Sequence, residues 1–430
     1  MSQSESAVVL PAANTPAPAG IRRSAHSLVL GGSIIMLVSS TAVSGINFGS
    51  NVVMARLLGP AGFGQVAVAT TMLMLASSVT LSFQLVCAKF VARNQDVPAK
   101  SAVFHSLLRK SWVFSLALGA LLVVARHPLA SYLNLPDKRI LLLLAIGIAF
   151  YAPVGVRRGG MQGLCSFGRL SGSFLVEAGM RFTVGLVLVL AGYGVMGGVG
   201  AISAGVLAAY LVPWLPSEFR VRPQTGEPAS FAEAFQAIVF FIGQVVINNI
   251  DIVLVKHFFA PEQAGIYAAI ALVGRVLYFA AWNVVSAMFP VSAAAANEHE
   301  NPKVVLVPML LVVGISAAFI LTVSLFPGFI MGTIFGRLFA HNNGLLSLYA
   351  VATALYSLSV VLMAYEMSRR IANTGWLQLL FSGVLVFAIG AFHSTLRQVI
   401  VVQIVLMLAM LALVAFPFLR RFRPAPLEAA

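Results

Sequence analysis

Glu177 and Arg181 stand four residues apart deep inside a long apolar run. On a helix that spacing puts them on one face, and Glu amino-terminal to Arg is the order that pairs best. Arg181 lies about 20 Å along the run at 1.5 Å per residue. An ionisable group at such depth in a membrane costs about 3 kcal/mol and faces a partner or a cavity. Either the pair is a structural clamp, or Arg181 is an anion ligand and Glu177 a proton or cation site. A second constellation joins Asn248, Asn249 and Asp251 to Arg275 in the following run. The two runs are antiparallel, and a helical Arg reaches back toward its own amino terminus, here toward Asp251. The pair is either a helix-to-helix clamp, or Asp251 takes a proton or cation and Arg275 a phosphate, whose oxygens suit a guanidinium. Asn47 lies between Gly45 and Gly49, a small-xxx-small spacing that more often signals helix packing than binding. Arg157 and Arg158 lie among Gly155, Gly159 and Gly163, where they ring an entrance or merely set topology.

These residues need a frame, and the composition supplies it. The 430 residues are 60% hydrophobic and only 9% charged, with mean hydropathy +0.95. Twelve runs approach the roughly 20 apolar residues of a bilayer crossing, at 27–53, 64–87, 105–126, 139–157, 168–192, 195–216, 234–256, 265–290, 303–326, 344–368, 374–392 and 397–419. A phrase recurs at one constant offset: Leu57-Leu58-Gly59-Pro60-Ala61-Gly62-Phe63-Gly64 returns as Phe258-Phe259-Ala260-Pro261-Glu262-Gln263-Ala264-Gly265, carrying Asn47 onto Asn248 and Val52 onto Val253. Six runs in each copy bring the second in with the orientation of the first, so the repeats are parallel. The expected fold is an all-α polytopic membrane protein of about twelve transmembrane helices, two parallel six-helix repeats forming two facing bundles. The expected divisions are a disordered cytoplasmic tail (1–26), an N-terminal bundle (27–220), a cytoplasmic linker (221–233), a C-terminal bundle (234–420) and a cytoplasmic tail (421–430).

With the amino terminus inside, eighteen of the 27 Lys and Arg fall on the cytoplasmic side, as the positive-inside rule requires. Both termini are therefore expected in the cytoplasm. The net charge of +14 gathers at helix ends, beside anionic headgroups, which argues against nucleic acid as a partner. No GxxxxGK[ST] phosphate loop, HExxH or CxxC occurs, and the histidines are scattered, so neither a cofactor nor a metal is expected. Cys87 and Cys165 read as packing residues in a reducing compartment. The longest outer loop, about 326–344, is too short to fold as a catalytic domain.

The stretch Asn249-Ile250-Asp251-Ile252-Val253-Leu254-Val255-Lys256, then Ala260 to Tyr267 and Arg275, resembles the polysaccharide-transport branch of the multidrug/oligosaccharidyl-lipid/polysaccharide exporter superfamily. So do Ala55-Arg56-Leu57-Leu58-Gly59-Pro60-Ala61-Gly62-Phe63-Gly64, and Gln162-Gly163 ahead of Phe167. The resemblance spans the chain. It implies a V-shaped pair of bundles around a cationic cavity, alternating between inward- and outward-open forms in the bacterial cytoplasmic (inner) membrane. The implied cargo is an undecaprenyl-pyrophosphate-linked oligosaccharide for O-antigen or exopolysaccharide export, its pyrophosphate neutralised by Arg181 and Arg275. Asn47, Asn248 and Asn249 are further substrate candidates, and Asp251 and Glu177 are candidates for proton or sodium coupling. Polymerase and export proteins of the same pathway are the expected protein partners. A drug or lipid II exporter of the same superfamily, a membrane enzyme of the pathway and a non-transporting synthase subunit are the competing readings.

Overall fold

In hydrocarbon a peptide group has no water to bond, so an apolar run closes its hydrogen bonds within itself and becomes helix. The computed structural model describes residues 19–212, 215–221, 231–294, 303–340, 344–369 and 374–421, and among them there is no strand. The helices are α1 (Ala19–Arg93), α2 (Val97–Val124), α3 (Arg126–Tyr132), α4 (Arg139–Gly163), α5 (Phe167–Leu188), α6 (Gly194–Leu211), α7 (Phe231–Phe258), α8 (Pro261–Ala294), α9 (Lys303–Leu325), α10 (Pro327–Phe335), α11 (Gly344–Arg369), α12 (Thr374–Ala391) and α13 (Leu396–Arg421).

Among the described residues, nine helical segments are long and apolar enough to cross a membrane. Two of them, Ile35–Arg93 with 59 residues and Phe167–Leu211 with 45, hold at least twice the roughly 20 residues one crossing needs. Each is broken by glycine. In α1 the backbone leaves the helix at Gly59 (φ 65°, ψ 179°) and Pro60 opens the second limb, where its missing N–H is no loss. Between α5 and α6 the chain turns through Gly192 and Gly194, with φ of 91° and 51°. Counting both limbs and the shorter Gly375–Ala391 gives the twelve crossings expected.

The halves repeat each other in packing as well as order. The second limb of α1 packs on α4 as α8 packs on α11, the first limb on α5 as α7 on α12, and α4 on α6 as α11 on α13. The short helices α3 and α10 occupy equivalent loops; the sequence shows no helix there because two turns are too short for a periodic pattern. α1 already begins at Ala19, ahead of the expected boundary at 27, while the terminal stretches 1–18 and 422–430 and the linker 222–230 lie outside the described residues. Ahead of that linker, Phe219 is buried and stacks on Phe104 at 4.1 Å, and Ser101 donates to the Val221 carbonyl at 2.7 Å, tying the segment to the N-terminal bundle.

Lipid-exposed helices gain little from the hydrophobic effect on associating, so close backbone approach matters more. Gly155, Gly159 and Gly163 provide it, lying against the Thr80, Gln84 and Ala88 carbonyls of the second limb of α1. A Cβ on Gly159 would overlap the Gln84 carbonyl and stand 2.8 Å from Cys87 Cβ. Gly159→Val is therefore expected to destabilise the N-terminal bundle by about 1–3 kcal/mol or more, read as a lower unfolding temperature of the purified protein. Gly45 and Gly49, by contrast, have nothing within 4 Å of a built Cβ among the described residues, so no close packing of that pair is seen there. Cys165 also departs from expectation: it is exposed, at φ 53° in the turn between α4 and α5, whereas Cys87 is buried.

The bundles meet at the face away from Ala19, where α1 begins, and Arg421, where α13 ends. There Gly64 and Gly265, equivalent residues of the two repeats, touch each other. A Cβ on Gly64 would stand 3.3 Å from the Pro261 oxygen, and one on Gly265 would fall onto the Pro60 carbonyl, 2.5 Å from its carbon. Each glycine faces the other repeat's proline, a reciprocal contact that places this pair on the axis relating the halves. Around it, Arg56 donates to the carbonyls of Thr333 and Ile334, the latter at 2.8 Å, and Phe63 inserts against Phe335 and Phe339. Tyr132 stacks on His257 at 3.8 Å. Asn134 Nδ2 donates to the His257 carbonyl at 2.8 Å, and the buried Lys256 Nζ to the Asn134 carbonyl at 3.3 Å.

Candidate functional site

Both polar constellations lie inside the helical layer, one in each bundle. In the N-terminal bundle Arg181 Nη2 reaches Glu177 Oε1 at 2.9 Å across one turn of α5. A third charge joins them: Arg158 of α4 donates through Nη2 to Glu177 Oε2 at 2.8 Å. Arg158 is not at an entrance. It is buried, its Nε bonds Ser173 Oγ and its Nη2 also bonds the Ser173 carbonyl, both at 3.0 Å, and its guanidinium lies over the Phe174 ring. α4 and α5 form an antiparallel pair joined by a tight turn, and side chains on each lean toward their own helix's amino terminus. Arg158 thus leans away from the turn and Glu177 toward it, which brings them together. Arg157 has a contact that neither reading named: it donates to the Tyr210 and Val212 carbonyls, the latter at 3.0 Å, at the C-terminal end of α6.

The three charges border a cavity of about 250 Å³ whose wall includes Asn47, Thr70 and Tyr151. Two buried polar atoms on it, Asn47 Oδ1 and Arg181 Nε, have no hydrogen-bond partner among the described residues. One carboxylate between two guanidiniums leaves the wall with a net positive charge.

In the C-terminal bundle Asp251 and Arg275 pair as the antiparallel geometry of α7 and α8 suggests, Nη2 to Oδ1 at 3.2 Å. The carboxylate has further partners: Asp251 Oδ2 accepts from the hydroxyls of Tyr267 at 2.9 Å and Tyr349 at 3.0 Å. Gln403 Nε2 in turn donates to the Tyr267 hydroxyl at 2.7 Å. Asp251 is 2% exposed, and Arg275 Nε is buried without a partner. Asn248 and Asn249 each donate to their own helix, to the carbonyls of Gln244 and Val245. Arg181 and Arg275 share no partner: each belongs to the network of its own bundle.

Arg158 and the two tyrosines escape a reading by local spacing. Arg158 is 19 residues from Glu177 across the α4–α5 turn, and nothing marks Tyr267 or Tyr349, which sit in apolar runs like any aromatic core residue.

The two six-helix bundles share their fold with membrane transporters of the MOP superfamily. The chain superimposes on an inward-facing multidrug resistance MATE family transporter of that superfamily with TM-score 0.72 and 13% identity, over 91% of this chain and 99% of the other. The lipid II flippase MurJ in an inward closed conformation aligns with TM-score 0.71 and 11% identity, over 90% and 87%. A MOP superfamily transporter from Pyrococcus furiosus Vc1 aligns with TM-score 0.62 and 13% identity, over 92% and 95%. Identities this low speak for the fold alone. No curated protein matches the chain. The sequence matches the polysaccharide biosynthesis protein family over residues 53–342, and the chain belongs to that family. The chain therefore joins the polysaccharide biosynthesis family to a fold shared with MOP superfamily transporters and with MurJ.

Proposed function

We propose that the chain is a flippase, not an enzyme, carrying a polyprenyl-pyrophosphate-linked oligosaccharide across the cytoplasmic membrane by alternating access. The observation that carries this reading is the cavity with a net positive wall inside the N-terminal bundle of a polysaccharide biosynthesis protein. A cation held at membrane depth asks for an anionic cargo group, and a guanidinium binds phosphate oxygens in a fixed fork. Arg181 is the proposed ligand, since its Nε is unpartnered; Asn47 sits on the same wall. Arg275, with its own unpartnered Nε, is the proposed counterpart in the C-terminal bundle. The seam through Gly64 and Gly265 closes the face away from Ala19 and Arg421. With both termini in the cytoplasm, as the charge distribution favours, the described state is shut toward the outside. The sugar is left to the hydrated space between the bundles and the polyprenyl tail to lipid. Asp251 and Glu177 remain the candidates for coupling to a proton or sodium gradient.

Arg181→Ala tests the assignment with little risk to folding, because Glu177 keeps Arg158 as its counter-charge. Its translocation of a fluorescent polyprenyl-pyrophosphate oligosaccharide in proteoliposomes is expected to fall about tenfold or more, the weight of one charge-assisted contact, at an unchanged unfolding temperature. Unchanged translocation would remove Arg181 from the site.

A further inference from the structure

Glu177 is an odd neighbour for an anion ligand. A carboxylate 2.9 Å from Arg181 competes with any incoming oxyanion for the same guanidinium, and alone with it would leave a neutral pair. Arg158 changes this balance. It holds the other carboxylate oxygen, Oε2, at 2.8 Å. Its Nε and Nη2 are bonded to Ser173 and the face of its guanidinium lies 4.0 Å from the Phe174 ring centroid. These contacts fix it in place and turn its donors toward α5. Its side chain is only 5% exposed, against 16% for Arg181. One arginine is spent on Glu177 and the other keeps an unpartnered Nε beside the cavity.

We infer that Arg158 is a positioning residue for anion binding: by neutralising Glu177 it leaves the charge of Arg181 to a single oxyanion in the cavity. Arg158 does not itself hold the anion. The inference rests on the reading of Arg181 as the anion ligand. Glu177 then orients the Arg181 side chain through one nitrogen, Nη2, while the rest of the fork stays open. The cavity, about 250 Å³, lies below the usual range of 300–1,000 Å³ for whole-ligand sites. It fits one phosphate-type group rather than a sugar chain. Asn47 lies on the same wall: when its amide turns over, the Nδ2 donor takes the place of the unpartnered Oδ1, an assignment fixed only by its partners.

The test is a charge-balance suppressor measured by binding, in nanodiscs, of two probes: inorganic pyrophosphate and undecaprenyl pyrophosphate. Arg158→Met is expected to weaken both by about tenfold or more, because Glu177 then claims Arg181. Arg158→Met combined with Glu177→Gln removes both charges and is expected to return binding to within about threefold of wild type. A merely structural Arg158 has no reason to be rescued by losing Glu177. Wild-type binding by folded Arg158→Met, or a folded double variant no better than Arg158→Met alone, overturns the inference. Arg181→Met separates the levels: if it binds like wild type, the anion assignment of Arg181 falls, and if it loses binding while Arg158→Met does not, only the role of Arg158 falls. Binding of undecaprenyl pyrophosphate but not of inorganic pyrophosphate, with the same pattern of loss and rescue, supports the inference and assigns the anion to the lipid carrier.

Discussion

Gly265→Ala is expected to part the two bundles at the seam where their repeats meet. The new Cβ would stand 2.5 Å from the carbonyl carbon of Pro60 and 3.0 Å from its Cα, and both are backbone atoms that no rotamer change can move aside. Relief requires the second limb of α1 to shift against α8, which also strains the Phe63 contacts with Phe335 and Phe339. Overpacking of this kind costs about 1–3 kcal/mol, and more where nothing yields. In an alternating-access protein part of that strain is released by populating the form open at this face. Spin labels at the exposed positions Val124 and Phe329, with the exposed Cys165 replaced, are expected to show longer distances in Gly265→Ala than in the parent. Gly64→Ala, whose closest approaches are 3.1–3.3 Å, is expected to do the same to a smaller extent. Unchanged distances with unchanged stability would mean that the seam is not the closure.

Asp251→Ala carries the second large effect. Arg275 would lose its anion while still 13% exposed at its side chain, and Tyr267 and Tyr349 would lose a shared acceptor. Removing one partner of a buried pair costs about 3–5 kcal/mol, most of it from the stranded charge. The double variant Asp251→Asn with Arg275→Met strands no charge and is expected to recover most of the stability, so that the effects of its two changes are strongly non-additive. Its transport separates clamp from ligand. Because Arg275 is proposed to meet the cargo, translocation is expected to stay low in the refolded double variant. Recovery of both stability and translocation would reduce the pair to a helix clamp.

The scaffold was legible because its signals are local. Apolar runs of bilayer length, glycine at the breaks and a phrase repeated at fixed offset need no knowledge of packing. Glu177 with Arg181 was visible from one turn of helix, and Asp251 with Arg275 from two antiparallel neighbours. What stayed hidden depends on contacts between distant segments. Asp251 and Tyr349 are 98 positions apart, and a tyrosine in an apolar helix gives no sign of whether its hydroxyl meets a carboxylate. Lys256, a charge at the end of an apolar run, is only 1% exposed, because the turn after α3 packs over the end of α7 and its Asn134 carbonyl accepts from the Lys256 ammonium. The repeated phrase itself was read as evidence of duplication. Its glycines also serve a second purpose, since at the axis between two copies no side chain fits.

Flipping of a lipid-linked oligosaccharide by its anionic group is the activity proposed for this chain. Its most direct measurement is translocation of a fluorescent polyprenyl-pyrophosphate oligosaccharide by the purified protein in proteoliposomes, with and without proton and sodium gradients. Movement that depends on the protein, is driven by one gradient and is inhibited by inorganic pyrophosphate is the expected result. No movement of that lipid under any gradient by folded protein, or equal transport of cationic drugs by it, would contradict the claim.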